Sequence, residues 1–124
     1  MKIISWNTKG LGSRKKRRVV KDFLRLENPD VVMIQETKRV VCDRRFFGSV
    51  WTVRNKEWAA LLACGALGGI LIIWDSKKLC RKEVVIGSFS ILVKFVLDGC
   101  EPLWFSTVYG PNSPSIRRIF GWSF

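Results

Sequence analysis

Polar and apolar residues from Lys2 to Asn7 follow the two-residue period of a β-strand. Gly10 and Gly12 then break the pattern, and Ser13 is placed to cap a helix. Val19, Val20, Phe23 and Leu24 recur at helical spacing, which predicts one long helix over 14–27. Asn28-Pro29-Asp30 stops it, because a residue before proline is pushed out of the α region. Val31 to Ile34 is an unbroken apolar run, the pattern of a buried strand, and it delivers Gln35-Glu36-Thr37-Lys38 at its end. Strand, helix, strand predicts a parallel pair, so the polar tips at Asn7 and Glu36 belong to one sheet edge. Open sheets bind ligands along that edge.

Further strands are predicted over 50–54, 70–74, 84–97 in two pieces, and 103–109. Gly65, Gly68 and Gly69 interrupt the uncharged stretch from Ala59 to Trp74. It therefore reads as a glycine turn feeding a buried strand, not as a membrane helix. Phe89, Ile91, Val93 and Phe95 form the more apolar face of their strand and are expected to face the core. Asp98-Gly99 is a hairpin turn, and the returning strand ends in Tyr109-Gly110-Pro111-Asn112. Ser115 to Phe120 has the spacing to open a helix, with too little sequence left for one to develop, so 14–27 is the single long helix expected. The class is α/β: one sheet with one long crossover helix, followed by strands that are mostly antiparallel.

Composition adds a partner. The 124 residues hold 22 Lys and Arg against 10 Asp and Glu, a net charge of +12. Nine of those net charges lie in residues 1–58. Such a face suits a polyanion, because each neutralised phosphate releases counterions; a solvated basic surface without a ligand is the alternative. Arg14, Lys15, Lys16, Arg17 and Arg18 crowd a helix start, where the helix dipole disfavours cations by ~0.3–1 kcal/mol each. That local conflict points to a use for the charges.

Other chemistries are excluded. The chain has no histidine, so a Cys/His zinc finger and a histidine-activated Ser or Cys nucleophile are ruled out. No Walker A motif occurs, and Gly10-x-Gly12 is a poor dinucleotide fingerprint because Lys15 stands at its third position. Cys42, Cys64, Cys80 and Cys100 are widely spaced and no secretory leader precedes them. Reduced, mostly buried thiols in a nuclear or cytoplasmic protein are the expectation.

Four blocks in order carry a resemblance: Trp6-Asn7 with Gly10-Leu11, Pro29 to Lys38, Gly65 to Leu71, and Tyr109 to Asn112. Together they resemble the endonuclease/exonuclease/phosphatase family, above all the endonuclease domain of plant non-LTR (LINE-type) retrotransposon polyproteins. The resemblance covers nearly all of residues 1–124. It implies the N-terminal part of a four-layer αββα sandwich that cleaves phosphodiester bonds in DNA with Mg²⁺. Glu36 matches the metal-binding glutamate. Asn7, Tyr109 and Asn112 match residues that hold the scissile phosphate, and Lys9, the 14–18 cluster and Lys38 would contact nucleic acid.

The departures point the other way. Lys9 stands where some relatives carry an acidic residue, and the family's Asp-x-Asn and Asp-His motifs are absent. Two readings therefore stand together. One is a Mg²⁺-dependent endonuclease domain, truncated, inactive as this piece and prone to aggregate through an uncovered sheet face. The other is a catalytically dead remnant that binds nucleic acid through its basic surface.

Overall fold

The computed structural model describes residues 1–39, 42–63, 68–96, 101–108 and 115–120, with Val108 and the last segment described by backbone alone. Ten elements run in the order β1 (Ile3–Asn7), α1 (Arg14–Glu27), β2 (Val31–Gln35), α2 (Arg44–Val50), β3 (Lys56–Leu61), β4 (Ile70–Asp75), β5 (Cys80–Ile86), β6 (Ser90–Val96), β7 (Leu103–Val108) and β8 (Ser115–Phe120). The strands make two sheets of four, ordered β1-β2-β4-β3 and β5-β6-β7-β8. Only β1 and β2 pair in parallel; the other neighbours are antiparallel.

Alternation along β2 and β4 assigns each face of the first sheet to a different layer. Val32, Ile34, Leu71 and Ile73 pack under the helices with Val20, Leu24, Phe47, Val50 and Trp51. Val31, Met33, Ile70, Ile72 and Trp74 turn the other way and meet Ile91, Val93, Phe95 and Phe105 of the second sheet. Nearly every one of these side chains is fully buried, and each contributes roughly 1.5–3 kcal/mol. Trp74 and Phe95 meet edge to face with ring centroids 5.0 Å apart, which locks the two sheets at one end. The result is a helix layer, a sheet and a second sheet.

The predicted first helix forms where expected. Ser13 accepts from the Lys16 amide, and Asn28 closes the other end in a left-handed conformation, its N–H bonded to the Leu24 carbonyl. Asp30 then ties the sheet's lower edge. Its carboxylate accepts from the Lys2 amide at 2.7 Å and pairs with Lys78 Nζ at 3.1 Å. Partial burial pushes the Asp30 pKa up, but the Lys2 amide and the Lys78 ammonium outweigh it and hold the carboxyl below its ordinary value.

Several expectations are corrected. The strands form two sheets, not one. Residues 50–54 are not a strand: Val50 ends α2 and Trp51 caps it. Asp43 caps the start of α2, and Phe46, Phe47 and Val50 are buried at helical spacing. Val50 and Trp51 are buried in succession, which a strand with one solvent face does not allow. The next strand is β3, further on. Ser115 to Phe120 pairs with β7 as a strand and does not open a helix. Six residues gain more from the ladder of a neighbouring strand than from an isolated helical turn. Phe89 is 57% exposed, whereas Ile91, Val93 and Phe95 are fully buried as predicted; Phe89 lies just before β6, in the turn closed by Gly87 N–H to the Ser90 carbonyl. Of the thiols, Cys42 is half-buried and Cys80 exposed. Burial raises the Cys42 pKa. Cys64, Cys100 and the Asp98-Gly99 turn lie outside the described residues.

The expected uncovered sheet face is the outer one of the second sheet. Val85, Leu92 and Lys94 stand on it, and among the described residues no helix covers them. Lys94 lies over the Trp104 ring at 5.3 Å and shields part of that face. Among the described residues no helix is long and apolar enough to cross a membrane.

Candidate active site

The parallel register brings the two polar tips together. Asn7 pairs with Gln35, the last residue of β2, so Glu36 lies one step beyond the ladder beside Thr8. Hydrogen bonds continue the pairing into the loops. The Thr8 amide donates to the Gln35 carbonyl at 3.1 Å, and the Leu11 amide to the Thr37 carbonyl at 2.9 Å. The Thr8 hydroxyl lies 3.2 Å from the Gln35 carbonyl and 3.3 Å from that of Glu36, and donates to this pair. Thr8 and Thr37 are both buried. The first loop also turns on Asn7 itself: its Oδ1 accepts from the Lys9 amide at 3.1 Å, an Asx turn.

The backbone here is bent in an unusual way. Lys9, Glu36 and Lys38 all have positive φ, near 54°. For a side-chain-bearing residue the left-handed region costs roughly 1–2 kcal/mol, and such outliers gather at functional sites. The second strand tip is left-handed at Glu36 and again at Lys38, and Glu36 is half-buried at the sheet edge. Glu36→Gly is therefore expected to stabilise the fold by ~1 kcal/mol. A urea midpoint that falls on this substitution would contradict strain at the site.

The glycines before β4 complete the edge. The Thr37 amide donates to the Gly69 carbonyl at 3.3 Å, and the Lys38 amide to the Gly68 carbonyl. A Cβ at Gly68 would sit 3.2 Å from Glu36 Cα and 3.3 Å from its Cγ. Gly68 is thus the floor against which Glu36 rests. Between the sheets, Gln35 Nε2 and Thr107 Oγ1 are buried and find no hydrogen-bond partner among the described residues. Gln35 and Thr107 stand on inward-facing positions of β2 and β7, the latter just before Tyr109. Thr8, Gln35, Thr37 and Gly68 are supports of this edge that sequence reasoning did not single out. Their only sequence signal is a hydroxyl residue directly after each strand tip and a Gly-Gly pair before a buried strand.

The predicted basic residues divide. Lys9 and Lys38 stand exposed on the two tips. Lys16 Nζ donates to the Lys9 carbonyl at 3.4 Å, while Arg17 donates to the Leu11 and Gly12 carbonyls, each at 2.8 Å. These cations brace the first loop. Lys15 and Lys16 line a cleft with Trp6, Thr8 and Val19 beside the sheet edge. Arg14 and Arg18 instead line a groove of about 650 Å³ between the two helices, with Lys21 and Arg45. Tyr109 and Asn112 lie outside the described residues.

A resident Mg²⁺ is poorly served by this set. Among the described residues no group of three acidic, His or Cys side chains comes together. Glu36 is a single hard ligand with the Lys9 cation on the adjacent tip, and Mg²⁺ sites combine carboxylates with substrate phosphates. The donor set does not fit a tightly held ion.

No protein-family profile and no curated protein matches this sequence. Solved structures do match. The chain is similar to the AP endonuclease LMAP from Leishmania major, at 19% identity and a TM-score of 0.65, over 87% of this chain and 39% of that one. It is also similar to the APE2 catalytic domain of Xenopus laevis, at 19% identity and a TM-score of 0.66, over 91% of this chain and 46% of that one. Both are AP endonucleases of the endonuclease/exonuclease/phosphatase superfamily. What the likeness shows is the fold, a mixed α/β architecture with two sheets and few helices. The chain spans less than half the length of either matched structure.

Proposed function

We propose that residues 1–124 are the N-terminal part of a phosphodiester-hydrolase domain that acts on DNA, as AP endonucleases do. The observation that supports it is the parallel register of β1 and β2, which sets Asn7 beside Gln35 and Glu36 at one strained sheet edge. In this reading Asn7, Tyr109 and Asn112 hold a phosphate, and Glu36 meets Mg²⁺ only together with that phosphate. The ordered sequence blocks support the finer assignment to an endonuclease domain of the plant non-LTR retrotransposon type.

As this piece, the chain grips nucleic acid and does not hydrolyse it. Lys9 favours that second, binding-only reading, because a cation at this place attracts phosphate and repels metal. Binding to a short DNA duplex, followed by fluorescence anisotropy across a salt series, tests it. Arg14→Gln/Arg18→Gln should flatten the slope of log K against log salt by about 2, near 0.9 per phosphate contact. Glu36→Gln should tighten binding without Mg²⁺, since it removes a like charge from the phosphate. A slope unchanged by the arginine pair, with affinity indifferent to Glu36→Gln, would contradict the reading.

A further inference from the structure

The opposite end of the first sheet carries a second basic concavity. In the β3–β4 ladder Lys56 pairs with Asp75, whereas Leu61 pairs with Ile70, the residue beside Gln35. Lys56 is thus at the far end of the sheet from the Asn7–Glu36 edge. A groove of about 590 Å³ opens there, lined by Arg44 of α2, Arg54 and Asn55 of the following loop, Lys56 of β3, Ser76 of the turn after β4, and Arg81 of β5. Four cations from four separate parts of the chain converge on it.

Their counter-charges are few. Glu57, also on the groove wall, pairs with Arg81 at 3.4 Å. The Asp75 carboxylate is turned to the Lys77 amide, and Asp75 does not line the groove. Among the described residues neither Arg44 nor Arg54 has a carboxylate within ion-pair distance. Lys56 Nζ donates to the Val53 carbonyl at 2.9 Å, which fixes the ammonium at the groove base. Partial burial, and after it the Arg44 charge, lower its pKa. Ser76 fastens the wall: its amide and hydroxyl both donate to the Asn55 carbonyl, at 2.8 and 2.9 Å.

We propose that this groove binds a phosphate-bearing anion, held by the forks of Arg44 and Arg54 and the ammonium of Lys56. Phosphate fits better than a carboxylate because several oxygens and up to two charges can meet three cations at once. Guanidinium forks match that geometry in bidentate fashion. The site is independent of the Asn7–Glu36 edge and does not rest on the hydrolase reading.

The test titrates the full chain with pyrophosphate, and separately with a thymidine decamer, while backbone amide resonances are followed by NMR. Pyrophosphate is expected to shift the amides of Asn55, Lys56 and Ser76. Arg44→Gln/Arg54→Gln should weaken it at least tenfold, and Arg14→Gln/Arg18→Gln by less than twofold. Arg54→Glu, a single exposed substitution with no side-chain hydrogen bond or ion pair to lose among the described residues, should abolish it. If the decamer loses affinity in the same groove variants, the ligand phosphate is that of a nucleic-acid backbone. If only pyrophosphate does, it belongs to a free phosphate compound. Pyrophosphate that fails to bind the wild-type chain, or binds the groove variants as tightly as wild type, would overturn the proposal.

Discussion

Gly69→Ala is expected to cost the fold roughly 3 kcal/mol, the sum of left-handed strain and overpacking. Gly69 has φ near 87°, where an L side chain is strained whatever the space around it. Space is also lacking. A Cβ there would sit 2.6 Å from Thr37 Oγ1, 3.1 Å from the Ala63 amide and 3.3 Å from the Leu61 carbonyl. Thr37 is buried and cannot swing into solvent. It would be pushed outward, and with it the hydrogen bond from its amide to Gly69 and the left-handed turn at Glu36. The loss is therefore coupled to the site. At an m-value of about 1–1.5 kcal/mol/M, the urea midpoint should fall by about 2 M. Gly48→Ala is the control: it lies inside α2 and its added Cβ would meet nothing within 4 Å. It should gain up to about 1 kcal/mol from helix propensity. Equal midpoints for Gly69→Ala and wild type would show that the Gly-Gly pair is not a packing requirement.

The first third of the chain was legible because its signals are local. Ser13, the spacing of Val20 and Leu24, Asn28-Pro29 and the apolar run from Val31 each specify structure within a few residues. From them the common edge of Asn7 and Glu36 follows by topology alone. What escaped depends on longer-range partners. Alternation says which residues share a face, but not which sheet a strand joins, so two sheets read as one. The α2 segment was missed because residues 50–54, read as a strand, hid a helix end, whose cap at Asp43 lies upstream. Ser115 to Phe120 became a strand because β7 offered it a neighbour. At the site, the left-handed backbone of Glu36 left no trace in the sequence, since only glycine advertises positive φ. Its support by Gly68 comes from a segment 32 positions downstream in the numbering and shows only as a Gly-Gly pair.

The second large effect is on chemistry, and it rests on what surrounds Glu36. Hydrolysis of a phosphodiester needs an attacking water to be oriented and deprotonated. General-base help is worth ~10²–10⁴ in rate. The chain has no histidine to give it. Among the described residues no group of three acidic, His or Cys side chains comes together to hold a metal ion. A cation about 4 Å from a bound metal would cost several kcal/mol per unit charge at an effective dielectric near 20, and Lys9 stands on the neighbouring tip. In the proposed reading phosphate binding survives these defects, because cations and strand-end amides suffice for it. Restoring an acidic group through Lys9→Asp should improve Mg²⁺ binding and weaken DNA binding in its absence, opposite signs from one substitution.

Nicking of supercoiled plasmid, measured alongside DNA binding by the same preparation, tests the account most directly. The expected result is salt-sensitive binding with no Mg²⁺-dependent nicking above the level of Glu36→Ala. Mg²⁺-dependent nicking that Glu36→Ala abolishes would contradict it, by showing that residues 1–124 already hold a complete hydrolytic site.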